Sequence, residues 1–134
     1  MGYWAQSFAM FRVSLRVLRE NPRLGLFPVF SGLAADGYFL EYDDDRSGTF
    51  EPLRFVPPGK IVVLGLVTTK TPALESVDDL KRRVEQAARY VDADRLCLSP
   101  QCGFASTVAG NALTLDQQRA KLDPVVRAAT ELWG

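Results

Sequence analysis

The sequence contains no histidine, the commonest general base and the commonest metal ligand in proteins. Catalysis that pairs a serine or cysteine nucleophile with histidine is therefore excluded within this chain. Cysteine is scarce too, because only Cys97 and Cys102 are present. An extended strand advances about 3.3 Å per residue, so a strand between them would hold them too far apart for a disulfide. We therefore expect free thiols and a cytoplasmic location.

The sequence also lacks an excess of charge and a long apolar run. Its 134 residues carry 16 basic and 16 acidic side chains, so we expect no nucleic-acid partner. The apolar stretch 24–35 is broken by Pro28 and Gly32, and it is shorter than the roughly 20 residues that a membrane-spanning helix needs. The length suits one domain with a modest core.

Residues 1–35 differ from the rest of the chain and are treated as a separate segment. They contain arginine but no lysine, and Glu20 is their single acidic residue. Apolar side chains recur at helical spacing with arginines largely off that stripe, which predicts an N-terminal amphipathic helix that ends at Asn21-Pro22. Such a helix suits either a membrane surface or packing against the remaining domain. The stripe consists of Phe8, Phe11, Leu15 and Leu18.

Residues 36–134 alternate between strand and helix patterns, which predicts an α/β fold with about three parallel strands and covering helices. The expected strands are 38–42, 61–67 and 95–98, and the expected helices begin after Ser76 and Thr114. A complete (β/α)₈ barrel needs about 250 residues, so only part of one fits. Polar groups follow each strand: Glu41 with neighbouring aspartates, the segment 68–70, and Cys102. Because parallel strands end on one side of a sheet, we expect Glu41 and Cys102 to face one cavity.

Four blocks of sequence resemble a known family. They are FLEYDDDRSG from Phe39, VVLGLVTTKTPALES from Val62, LCLSPQCGFASTVAGN from Leu96, and the terminal Leu132–Gly134. Over about residues 33–134, the chain resembles the C-terminal part of the cobalamin-independent methionine synthase family. The resemblance implies a TIM-type barrel, here partial, with zinc at the carboxyl ends of its strands. It also implies methyl transfer from a methylated folate to homocysteine.

The resemblance assigns zinc ligation to two residues. Glu41 in FLEYD matches the family's glutamate ligand, and Cys102 in PQCG matches its last cysteine ligand. Zinc would hold the homocysteine sulfur as a thiolate nucleophile. The family's other two ligands form a His-x-Cys pair that has no counterpart here, and the segment 30–35 does not replace it. No further catalytic residue is assigned.

Several alternatives remain open at this point. With half the ligands missing, we expect the isolated chain to be inactive. It is then either a non-catalytic remnant or a subunit that completes a split barrel, as a homo-oligomer or with a complementary polypeptide. Individual residues also have plainer interpretations: Cys102 as a structural thiol, residues 43–45 as a solvated loop, Lys70 as a surface lysine, and Cys97 as a small core residue.

Overall fold

In this computed structural model, residues 10–13, 30, 33–43, 47–101, 103–105 and 110–134 are described. Within them, one parallel sheet has the strand order β1-β2-β3-β4. The strands are β1 (Met10–Val13), β2 (Gly37–Glu41), β3 (Ile61–Val67) and β4 (Leu96–Pro100). The helices are α1 (Val77–Ala87) and α2 (Leu115–Trp133), with short 3₁₀ turns at Glu51–Phe55 and Ala93–Arg95. The predicted parallel α/β fold is confirmed.

Both helices begin where their capping residues predict. The Ser76 hydroxyl accepts a hydrogen bond from the backbone N–H of Asp79 at the start of α1. At the start of α2, Thr114 and Gln117 bond each other's backbone N–H groups in a capping box. Pro124 lies inside α2, which continues through it to Trp133. Among the described residues, we find no helix with the length and apolar character to span a membrane.

The first strand corrects one prediction. Residues 10–13 were expected within the N-terminal amphipathic helix, yet they form β1, which pairs in parallel with β2 from Met10↔Gly37 to Val13↔Leu40. The physical reason is that β1 supplies hydrogen-bond partners to the edge of β2, a gain that local periodicity does not reveal. The rest of the predicted helix lies outside the described residues.

One face of the sheet carries the core. Alternate residues of β2 point to this face, and Tyr38 and Leu40 are fully buried there, as is Tyr42 just beyond the strand. The helices cover them, and the apolar stripes of α1 and α2 complete the cluster. Its members from β3, β4 and the helices include Val62, Leu64, Leu66, Leu96, Leu80, Val84, Ala87, Val125 and Ala128.

The opposite face, which we call the open face, carries Phe39, Val63 and Cys97 side by side in register. No described element covers it, and Phe39 remains 40% exposed. The prediction that Cys97 is a core residue is wrong, because its thiol is exposed. The alternation of β4 places Leu96 rather than Cys97 on the buried face. In a closed barrel, such a face points to the interior.

Two tyrosines on the buried face offer a matched test of core energetics. Both are fully buried. The Tyr38 hydroxyl donates a hydrogen bond to the Phe30 carbonyl, whereas the Tyr42 hydroxyl has no hydrogen-bond partner among the described residues. Burial raises the pKa of the Tyr42 phenol above its ordinary value of 10.0. The buried hydroxyl is therefore neutral near pH 7, and no described residue compensates its desolvation.

We expect Tyr42→Phe to raise the free energy of unfolding by about 1 kcal/mol, because it removes an uncompensated buried hydroxyl. Tyr38→Phe should lower it by about 1–2 kcal/mol, because the Phe30 carbonyl loses its donor. Urea denaturation of both variants measures the two effects. Equal destabilisation by the two substitutions would contradict the hydrogen bonding described above.

Candidate functional site

The candidate site lies where β2, β3 and β4 end. Glu41, Gly65 and Ser99 stand side by side in register on these strands. They line a cavity of about 260 Å³ together with residues of the turn after β4. Among the described residues, the lining comprises Phe39, Leu40, Glu41, Gly65, Ser99, Pro100, Gln101 and Gly103. The carboxyl ends of parallel strands are where α/β folds bind ligands, so Glu41 lies where the sequence predicted a site.

Gln101 connects the Glu41 carboxylate to the turn that carries Cys102. Its side-chain Nε2 donates a hydrogen bond to Glu41 Oε2 at 3.0 Å. Its backbone N–H donates to the Val67 carbonyl at 2.8 Å, and only 5% of its surface is exposed. Because Gln101 immediately precedes Cys102, Glu41 is tied to a residue one position away from the predicted thiol ligand. No local sequence signal marks Gln101, because its contact with Glu41 joins residues 60 positions apart.

Gly65 makes this close approach possible. A Cβ atom at this position would lie 3.3 Å from the Leu40 carbonyl oxygen and 3.4 Å from the Gln101 Cα. Both are backbone atoms, so a side chain would force β2 or the Gln101 turn to shift. A glycine inside an otherwise continuous apolar strand is the sequence signal for such an approach.

A partly exposed ion pair lies two residues beyond Glu41 along the chain. Lys70 Nζ lies 3.1 Å from Asp43 Oδ2, and the Asp43 side chain is only 4% exposed. The pair joins the segment after β2 to the loop after β3. Lys70 lies at the surface, as its plainer interpretation predicts, because its side chain is 54% exposed, whereas the Asp43 side chain is not simply solvated. Asp44 and Asp45 lie outside the described residues.

The predicted metal ligands differ in how far the structure describes them. Glu41 is half-buried at the cavity. Cys102 lies outside the described residues, although Gln101 and Gly103 on either side of it are described. Within the described ranges, no three histidine, cysteine, aspartate or glutamate side chains come together as a metal site. The assignment of zinc to Glu41 and Cys102 thus stays a prediction.

Residues 25–131 match the protein family described as the catalytic domain of cobalamin-independent synthases. The chain belongs to this family. Its curated relatives include the uncharacterized protein YxjG of Bacillus subtilis, which is 61% identical over 106 residues. The match covers 78% of this chain but 28% of YxjG, so the chain spans under a third of the length of this family member.

Solved structures support the assignment of the fold. The putative vitamin-B12-independent methionine synthase of Listeria monocytogenes is 35% identical, with a TM-score of 0.60 over 81% of this chain and 31% of that one. The B12-independent methionine synthase of Shewanella sp. W3-18-1, solved with selenomethionine, has a TM-score of 0.66 at 24% identity. The match covers 79% of the present chain and 29% of the Shewanella protein. The sheet is therefore part of a methionine-synthase-like barrel.

Proposed function

We propose that this chain supplies part of the zinc site of a cytoplasmic methyltransferase that forms methionine from homocysteine and a methylated folate. The observation that supports the proposal best is the hydrogen bond from Gln101 to Glu41. It joins the Glu41 carboxylate to Gln101, the residue that precedes Cys102 in the chain, at the end of the sheet where barrels bind their ligands. A reducing cytoplasm suits a site that depends on a free thiolate.

The donor atoms suit zinc but do not complete its coordination. A carboxylate oxygen and a thiolate are both established zinc ligands, and structural and catalytic sites use four and three protein ligands respectively. Zinc, when bound, would make the homocysteine sulfur nucleophilic by stabilising its thiolate. The protein's own contribution is orientation: Gln101 holds the Glu41 carboxylate, and Gly65 leaves room for both. A carboxylate ligand that is itself hydrogen-bonded is the usual outer arrangement around a metal.

Glu41→Gln should weaken zinc binding by about tenfold or more, because the amide is a poor zinc ligand and also disrupts the contact with Gln101. Competition with a chromophoric chelator measures this affinity. Glu51→Gln is the matched control, because Glu51 is an exposed residue paired with Arg54 and lies outside the cavity. Equal affinities for the wild type and Glu41→Gln would remove Glu41 from the proposed site.

We expect the isolated chain to form no methionine from homocysteine and methyl-folate, because two of the family's four zinc ligands have no counterpart in its sequence. The purified chain can be assayed with zinc added and with a full-length relative as the positive control. Zinc-dependent methionine formation by the chain alone would contradict this expectation.

A second proposal concerns how the site is completed. Phe39 on the open face is 40% exposed, and Cys97 on the same face is exposed as well. The interior of a barrel, in contrast, is packed with side chains. We propose that the remaining strands of the barrel, on a complementary polypeptide with a His-x-Cys pair, cover this face. The alternatives are a second copy of the chain or a non-catalytic remnant.

Alkylation of Cys97 distinguishes these arrangements. Partial desolvation raises the pKa of the Cys97 thiol, so it reacts slowly and its rate reports on further burial. We expect co-expression with the remaining strands of a full-length relative to protect Cys97 and to restore methionine formation. If the alkylation rate of Cys97 falls as the concentration of the chain alone rises, a second copy of the chain covers the open face. If Cys97 is unprotected in both experiments, the result would favour the third arrangement, in which the chain is a non-catalytic remnant.

A further inference from the structure

A buried lysine fixes the loop between β3 and α1. Lys121 belongs to α2, and its side chain has no exposed surface. Its ammonium group donates a hydrogen bond to the Ala73 carbonyl and lies 3.1 Å from Glu75 Oε2. The other carboxylate oxygen of Glu75 accepts a hydrogen bond from the Thr68 backbone N–H at 2.9 Å. Lys121 thus attaches Ala73 and Glu75 to α2, and Glu75 in turn binds the start of the loop at Thr68.

Thr69, which follows in the same loop, is only 1% exposed. Its hydroxyl oxygen accepts a hydrogen bond from Asn111 Nδ2 at 3.0 Å. Asn111 lies shortly before α2, and the same amide nitrogen is 3.4 Å from the Gly103 carbonyl oxygen. The backbone N–H of Asn111 also donates to the Phe104 carbonyl at 3.3 Å. Asn111 therefore connects the β3–α1 loop to the two residues that follow Cys102.

Cys102 is consequently flanked by two anchored segments. On one side, Gln101 is bonded to the Val67 carbonyl and to Glu41. On the other, Gly103 and Phe104 are bonded to Asn111. We propose that Thr69 and Asn111 are positioning residues that fix Gly103 and Phe104, the residues that follow Cys102 in the chain. The restraint on these neighbours follows from the contacts, we expect it to limit the movement of the Cys102 thiol, and its consequence for zinc rests on the function proposed above.

Two substitutions of the same residue test the proposal in a Cys97→Ser background. Thr69→Val keeps the size of the side chain but removes the acceptor for Asn111, whereas Thr69→Ser keeps the hydroxyl. We expect Thr69→Val to weaken zinc binding about tenfold to hundredfold, the usual effect of losing an outer partner of a metal site. Thr69→Ser should bind zinc within about twofold of the parent, because the hydrogen bond is retained.

The alkylation rate of Cys102 without zinc provides a second readout that does not depend on the proposed function. We expect a severalfold faster reaction in Thr69→Val, because the turn is released, and the parent rate in Thr69→Ser. Thermal unfolding identifies any variant that is not folded, and Asn111→Ala then replaces Thr69→Val as the test.

The two readouts separate the possible failures. If the parent binds no zinc but the alkylation rates differ as expected, the proposed function fails and the positioning stands. If Thr69→Val matches the parent in every measured property, the positioning is overturned. The positioning is also overturned if Thr69→Ser is altered as much as Thr69→Val, because the hydroxyl is then not responsible.

Discussion

Lys121→Met is expected to lower the free energy of unfolding by about 3 kcal/mol. The methionine keeps most of the aliphatic volume of the lysine but leaves the Ala73 carbonyl and the Glu75 carboxylate without their cation. Removing one member of a buried ion pair typically costs about 3–5 kcal/mol. Glu75 keeps 21% exposure, so water partly compensates and the lower end of that range applies. Urea denaturation measures the change.

An exposed ion pair between α1 and α2 provides the control. Lys81 of α1 lies 2.7 Å from Glu131 of α2, and both side chains are substantially exposed, at 30% and 45%. Lys81→Met should therefore cost less than about 1 kcal/mol. Equal costs at Lys81 and Lys121 would show that the buried ion pair does not hold the β3–α1 loop. A double substitution with Glu75→Gln should recover part of the loss at Lys121, because the unpaired charge is removed as well.

Local signals predicted most of the sheet and helices. The run 61–67 is continuous and β-branched, and β3 has the same bounds. Ser76 and Thr114 cap the helices that follow them, because capping depends on residues within one turn. The prediction failed at β1, where residues 10–13 pair with β2 although they belong to a stretch with helical periodicity. That pairing joins segments far apart in the sequence, and periodicity carries no information about it.

The site was predictable only in outline. Glu41 could be placed at a strand end, because parallel strands direct their carboxyl ends to one side. The contact of Gln101 with Glu41 spans 60 residues, and it depends on Gly65 allowing the backbones to approach. Lys121 reads in the sequence as an ordinary helix-surface lysine, because its burial depends on Glu75, 46 residues away. Such long-range pairs are specified by tertiary packing, which a single sequence does not display.

The second large effect is expected on zinc binding when the Cys102 thiol is replaced. Cys102→Ser should abolish zinc binding, because the hydroxyl of serine stays protonated at neutral pH and does not replace a thiolate ligand. Cys97→Ser is the matched control, since Cys97 lies on the same strand-turn unit but its thiol is on the open face. It should leave the zinc content unchanged. The pair of variants therefore separates a specific site from adventitious binding to free thiols.

The zinc content of the chain co-expressed with the remaining strands of a full-length relative is the most direct test of the proposed site, because those strands supply the two ligands that this chain lacks. Elemental analysis after removal of loosely bound metal should find about one zinc ion per complex with the wild-type chain and with Cys97→Ser, and none with Cys102→Ser. A wild-type complex without zinc, or zinc retained with Cys102→Ser, would contradict the proposal that Glu41 and Cys102 form part of a zinc site.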